Sequence, residues 1–420
     1  MRQRAFLALV AVAFVALIFP ATTQGQRGGQ QVQLPDGPGK DMVQATCTKC
    51  HGLNFITNSF GFSRDEWVTL FSSMVVPPKT ESDAIADYLA KHFPEKPNIS
   101  KAVIVPGPVS VNIKEWLAPT LGQRPHDPLA ARDGSIWWTG QYASRLGRLD
   151  PRTGAMKEFP LDTPNSGPHG LDEDADGNVW YTGINVHEIG KVDPKTGAVT
   201  EYKVPEPARN PHTPIINDAT GMLFFTTQSG HVGRLNTRTG EFRIAKTPTD
   251  GTYPYGIQIN SKGIPWYVDF RGNRVGSVDP VTMEIKEYTL PSPDARPRRI
   301  ALTPDDVVWY ADYARGYLGR FDPRNGQVKE WPSPGGKDSR PYGIAAVGDV
   351  IWYSESGVKP NTLVRFDTRT ERFQTWTIPS GGHVVRNMMA TREGSLVLAN
   401  SGINRVALVE VRTGRSTAAR

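Results

Sequence analysis

The chain has 420 residues, with 38% hydrophobic and 21% charged residues, a formal net charge of +6 at pH 7 and two cysteines. That balance excludes disorder over most of the length. The basic excess reads as mild and scattered, without the basic cluster or aromatic-basic stripe of a nucleic-acid binder.

At the N-terminus, Arg2 and Arg4 precede an apolar run from Ala5 to Phe19, followed by Pro20 and small or polar residues. This pattern predicts a secretory signal peptide over residues 1–25, cleaved near Ala21 to Gly25. The run is short for a membrane anchor, so no span is expected after cleavage, with an uncleaved anchor as the alternative. The expected location is periplasmic or secreted. Gln26 to Gly39, rich in Gly, Gln and Pro, reads as a flexible leader.

A small all-α domain is expected over residues 40–98. Helix-like sequence begins near Lys40 and runs into Cys47-Thr48-Lys49-Cys50-His51, which holds both cysteines of the chain. C-x-x-C-H is the attachment sequence of c-type haem: the thiols add to the two vinyl groups and the adjacent histidine ligates the iron. A zinc ribbon would need a second ligand pair, and a thioredoxin-like motif would need a βαβ unit. A disulfide across two residues would leave His51 unexplained. One covalent haem c is therefore predicted, bound by Cys47, Cys50 and His51.

A second helix is signalled by the capping box Ser63–Glu66, with Trp67, Leu70, Phe71 and Met74 along one face. A third is expected from near Ser82, carrying Ile85, Tyr88, Leu89 and Phe93. Met74 is the leading candidate for the sixth iron ligand, since it closes the apolar stripe before Val75-Val76-Pro77-Pro78. Its bland alternative is a core methionine. His92 is the rival ligand, and Met42 falls on the proximal side. So small a domain has little core of its own, and a tethered porphyrin would supply much of the interior. The pattern from Gly39 to Phe93 resembles the small single-haem class I cytochrome c domains.

Residues 99–109 read as a linker. From about residue 110 the chain repeats. One marker is an aromatic in an apolar strand, at Trp137, Trp180, Phe224, Trp266, Trp309 and Trp352, with Val397 in the seventh place, at steps of 42 to 45 residues. The other is a turn of the Asp150-Pro151-Arg152-Thr153-Gly154 type, recurring at Asp193, Asn236, Asp279, Asp322, Asp367 and Glu410. Four short strands per repeat of this length make a β-propeller blade. The last copy lacks its outer strand, and Trp116 precedes the first complete copy. The strand around Val111 to Leu117 should therefore complete a seventh blade and close the ring. The expected fold is mixed: a small all-α cytochrome c domain followed by an all-β seven-bladed propeller over 110–420.

The repeat pattern, with Pro-x-Gly-Ile, Trp-Tyr or Trp-Phe, and Asp-Pro-x-Thr-Gly recurring in variant form, resembles the virginiamycin B lyase propellers. The resemblance implies a C–O lyase that opens a macrocyclic ester, using one histidine, a Glu-Pro-His segment in the next blade and a downstream glutamate, with magnesium on the glutamates. The matching places, just after each blade-opening proline, read His126, His169, His212, Tyr255, Arg298, Tyr342 and Asn387, a ring around one mouth of the channel. The carboxylates are missing: Asn210 stands before Pro211-His212, and the downstream place falls near Gln228. Without them neither magnesium nor its polarisation of the ester is supported.

Cross-strand pairing would set Tyr255, Arg298 and Tyr342 opposite Asp269, Asp312 and Glu355, with Arg298–Asp312 as a salt bridge, and His126 and His169 opposite Gly140 and Gly183. His126, His169 and His212 are the candidate catalytic residues. They could instead hold a transition metal, or bond backbone carbonyls and fill the mouth.

The expected function is an exported haem protein that passes electrons, with the propeller as a platform for a small-molecule reductant or a redox partner protein. The alternatives are a lyase with an accessory haem and a haem-based sensing module.

Overall fold

The structure is a computed structural model describing residues 32–49 and 51–413. The expected signal peptide, residues 26–31 of the leader and Cys50 lie outside the described residues. No helix among the described residues is long and apolar enough to cross a membrane.

Four helices form an N-terminal unit: α1 (Lys40–Cys47), α2 (Asn54–Thr57), α3 (Arg64–Ser72) and α4 (Lys79–His92). The capping box is formed: the Glu66 amide donates to Ser63 Oγ and the Ser63 amide to the Glu66 carboxylate. Val43 of α1 packs with Ile85, Tyr88 and Leu89 of α4, and Trp67 and Phe71 of α3 close the same core. Trp67 also donates its indole N–H to the Phe93 carbonyl at 3.1 Å. The last helix starts at Lys79, earlier than Ser82, because Pro78 occupies its N-cap and a proline there presets the entry instead of breaking the helix. The single turn of α2 is not predicted, since four residues carry no periodic signal.

Seven four-stranded antiparallel sheets follow, each formed from consecutive strands except one. In that exception Val109–Leu117 pairs with Arg405–Thr413, joining the first strand of the toroid to the last. Closure by this pairing leaves no blade with a missing outer strand.

The blade markers are packing devices. Each marker indole stacks on the outer-strand aromatic of its own blade, as Trp137 does on Phe159 at 4.9 Å and Trp309 on Trp331 at 5.5 Å. In blades one to five the next aromatic along lies against a glycine of the third strand. A Cβ at Gly190 would come within 2.0 Å of the Tyr181 ring, so only glycine fits there. At the mouth, Thr139, Thr182, Thr226 and Ser354 each accept an amide of their own blade and donate to the first strand of the next. Their acceptors are the carbonyls of His169, His212, Tyr255 and Val385 at 2.6–3.0 Å. These hydroxyls fix where each inner strand presents its ring residue.

The helical unit sits against mouth-side loops of blades six, seven and one. Lys359 Nζ reaches Glu66 at 2.9 Å and Glu95 at 2.7 Å, and lies 4.6 Å over the Phe62 ring. Phe62 also packs on His383 with ring centroids 5.0 Å apart. The Gly122 amide donates to the Ser73 carbonyl at 3.1 Å, and Arg124 lies 5.4 Å over the Phe55 ring.

Candidate functional site at the channel mouth

Each inner strand opens with a residue that pairs regularly and then bulges. Pro125 pairs with Gly140, Pro168 with Gly183, Pro254 with Asp269, Pro297 with Asp312, Pro341 with Glu355 and Val385 with Asn400. The expected facing pairs are therefore one residue off: the opening residue, not the one after it, faces the second strand. A bulge frees its residue from the ladder and re-aims the side chain, here toward the channel. In blade seven this rule selects Arg386, the residue after Val385, and replaces the expected Asn387.

The ring is thus His126, His169, His212, Tyr255, Arg298, Tyr342 and Arg386. The imidazoles of His126 and His169 lie 3.7 Å apart between centroids, those of His169 and His212 3.8 Å, and His212 lies 3.8 Å from the Tyr255 ring. Tyr255 and Tyr342 share a hydrogen bond between their hydroxyls at 2.6 Å. The histidines do not bond backbone carbonyls through their rings. His126 Nδ1 meets Asp127 Oδ1 at 2.9 Å and His212 Nδ1 meets Thr213 Oγ at 2.8 Å. His169 Nδ1 and His212 Nε2 are buried without a partner among the described residues. Burial, then the neighbouring arginines and histidines, holds all three imidazoles well below their usual range, so they are neutral at pH 7. Ligand atoms of His126, Asp127 and His169 lie within 4.8 Å of one another, a spacing that could hold a metal ion.

The expected Arg298–Asp312 bridge is absent. Asp312 is held by Arg315 at 2.6 Å. Arg298 turns inward because its bulge aims it there: its guanidinium lies 3.8 Å over Tyr342 and 4.5 Å over Phe270, and it donates to the Tyr255 hydroxyl at 3.2 Å. Behind the ring, Arg299 crosses the channel to Asp127 at 2.6 and 3.1 Å and to Thr213 at 3.2 Å. This buried pair plugs the axis. Beyond it lies a cavity of about 80 Å³ lined by Asp127, Asp172, Thr213, Arg299 and Asn387, among others. Removal from water pushes the Asp172 carboxyl up to about 7.

The charge is therefore not scattered. Arg124, Arg298, Arg299 and Arg386 converge on the mouth, interleaved with tyrosines. In the sequence these arginines look isolated because consecutive ring positions stand some 43 residues apart; reading the ring position together with its successor would have exposed the Arg298-Arg299 pair.

Of the motif, His51 lies toward the edge of this mouth, through Phe55. Cys47 ends α1. The His51 ring packs on Phe55 at 4.9 Å, and Phe55 lies beneath Arg124. His51 Nδ1 meets the Gly52 carbonyl at 3.0 Å. A carbonyl only accepts, so Nδ1 carries the hydrogen, and in the neutral ring Nε2 keeps its lone pair. Met74 follows α3, half-buried, beside Gly122 of the propeller. His92 instead packs on Tyr88 at 4.5 Å, with Gly37 alongside. Met42 is 43% exposed.

Asn210 and Gln228, which stand where the resemblance would put metal-holding glutamates, are joined through backbone, Gln228 N–H to Asn210 C=O at 3.0 Å. The place is kept and the carboxylates are not.

Residues 108–356 match the model of the virginiamycin B lyase family. Among solved structures, a streptogramin B lyase is similar at 24% identity and TM-score 0.66, over 72% of this chain and 98% of that one. Virginiamycin B lyase from Staphylococcus aureus is similar at 23% identity and TM-score 0.65, over 71% and 99%. Hydrazine synthase of Kuenenia stuttgartiensis is similar at 15% and TM-score 0.58, over 70% and 96%. At these identities the likeness shows the propeller fold. No curated protein matches. The match over 108–356 extends through more than half of the sequence, and on that ground the chain belongs to the virginiamycin B lyase family.

Proposed function

We propose that this is an exported c-type haem protein that passes electrons, whose propeller mouth receives a small-molecule reductant or a redox partner protein. Haem is held by Cys47, Cys50 and His51, in a helical unit of the single-haem cytochrome c type. The observation that carries the reading is the Cys47-to-His51 motif at the end of α1, with the His51 tautomer fixed by the Gly52 carbonyl. A hydrogen bond of this kind orients a metal-ligating imidazole and leaves Nε2 as the ligand atom. The residues therefore fit the group, which supplies a one-electron iron centre when bound.

The chain's own contributions follow from the contacts. Met74 offers a thioether as sixth ligand, and its backbone lies against Gly122. His92 is less suited, since Tyr88 and Gly37 already enclose it. The Gly122–Arg124 segment touches the neighbourhoods of Met74 and of Phe55 beside His51, so it couples the helical unit to the mouth. Lys359, through Glu66 and Glu95, clamps the far side of the same contact.

The lyase reading that family membership invites meets a different donor set. Asn210 and Gln228 bring neutral amides where magnesium prefers carboxylates, so these side chains do not support a magnesium-assisted elimination.

The test is a redox titration of the full-length exported protein with a panel of metabolites and with soluble redox proteins. Reduction or oxidation of the haem by one of them supports the proposal, and inertness to all of them counts against it. In the same titration Met74→Leu should change the spectrum and lower the reduction potential, as loss of a sulfur ligand does.

A further inference from the structure

We propose that the channel mouth is a binding site for a small organic carboxylate, held by Arg124, Arg298 and Arg386 against the Tyr255–Tyr342 pair. It deepens the electron-transfer reading by naming the class of the small-molecule reductant, and rests on that reading only for the use made of the ligand.

The charge balance argues for an anion. Of the four guanidiniums at the mouth, Arg299 is committed to Asp127. Among the described residues Arg124, Arg298 and Arg386 have no ion-pair partner, and Arg298 Nε and Arg386 Nε are buried without a hydrogen bond. The carboxylates that end the second strands of blades four to six are held by other groups. Asp269 Oδ1 accepts the amides of Tyr253 and Arg271 at 2.8 and 3.0 Å, with Arg274 3.7 Å from Oδ2, Asp312 pairs with Arg315, and Glu355 accepts from Ser333 and Thr362. Like charges brought together out of water repel, and an anion relieves that repulsion. The repulsion is felt: after burial, Arg386 is the largest influence pushing the Arg124 guanidinium down. Burial works to raise the Tyr342 hydroxyl, but Arg298, Arg386 and Arg299 pull it below the usual phenol range.

The shape argues for a carboxylate. A guanidinium presents paired donors in a plane, which match two coplanar oxygens. The adjoining wall is aromatic: four rings from His126 to Tyr255, tilted 43–48° to their neighbours at 3.7–3.8 Å between centroids, on one side, and Tyr342, Tyr313 and Phe270 around Arg298 on the other. Neutral imidazoles bring no further charge to that wall. The anionic end thus meets the arginines while an apolar body lies against the rings.

The probe is sodium benzoate, titrated by calorimetry into the full-length exported protein at low ionic strength and pH 7, with benzamide and inorganic phosphate as parallel titrants. Saturable one-to-one binding of benzoate, no binding of benzamide, and at least a tenfold loss of affinity in Arg386→Met and in Arg298→Met are expected. Equal binding of benzamide and benzoate, no saturation with benzoate, or undiminished affinity in both variants would overturn the proposal. Binding of phosphate without benzoate would overturn the carboxylate assignment. The wild-type titrations need no variant to fold. They also read out whether or not the protein carries haem, so failure here and failure of the electron-transfer reading are told apart.

Discussion

Arg299, carried by the fifth blade, holds the Asp127 carboxylate of the first blade across the channel axis at 2.6 and 3.1 Å, with both side chains buried. One ion pair therefore ties opposite sides of the toroid and separates the mouth from the cavity below it. Removing one partner strands a charge out of water, which costs about 3–5 kcal/mol, whereas replacing both by apolar residues of similar volume is often close to neutral. Arg299→Met should accordingly lower stability by that order, and adding Asp127→Leu should restore most of it. Urea denaturation of the two variants measures this; equal loss in both would show that the pair is not coupled.

The contact between helical unit and propeller should weaken in acid. His383 packs on Phe62 at that contact. Burial first, then Lys359, holds its imidazole down to about 4. A depressed imidazole binds its proton less readily folded than unfolded, so its contribution is intact above the ordinary value of 6.5 and is lost as pH falls from there toward 4. Limited proteolysis of the 93–109 segment should accelerate over that window. Lys359→Met removes the contacts to Glu66 and Glu95 and should accelerate cleavage at every pH, with a stability loss of about 1 kcal/mol.

Asp172 behaves in the opposite sense. Its carboxyl, raised to about 7 by loss of water, accepts the amides of Ile216 at 2.6 Å and Glu173 at 2.9 Å. A raised acid favours the folded state while protonated, so its contribution is full below its ordinary value of 3.8 and is lost as pH rises through 7. Asp172→Asn sacrifices one of two acceptors, at about 1 kcal/mol, but removes the titration. The melting temperature of the variant relative to wild type should rise between pH 4 and pH 8. A constant difference would contradict the assignment.

Much of the architecture was legible because repetition multiplies a weak signal. A single Trp-Tyr strand proves little, but six aromatic strands and Val397 in the seventh place, in register with seven variants of one turn from Asp150 to Glu410, fix the blade count. Trp116 before the first complete copy gave the closing strand, now seen paired with Val406. The ring of histidines was legible for the same reason. What sequence spacing could not supply was the bulge. It shifted pairing by one residue, put Arg386 in place of Asn387 and sent Arg298 inward, away from Asp312. The electropositive mouth was missed with it, because convergence of residues some 43 positions apart is a property of the closed ring and not of any segment. The helical unit was read from its capping box and apolar stripes; the proline-initiated start of α4, the single turn of α2 and the end of α3 at Ser72, two residues before Met74, differed.

The central claim is that iron porphyrin is bonded through Cys47 and Cys50. Its most direct test is a pyridine haemochrome spectrum, with intact mass, of the protein purified from an oxidising compartment equipped for c-type haem attachment. The account predicts one haem per chain that survives denaturation, with a spectrum typical of two thioether bonds, and its loss in Cys47→Ser/Cys50→Ser. A colourless chain at apoprotein mass, with both thiols open to alkylation, would contradict it.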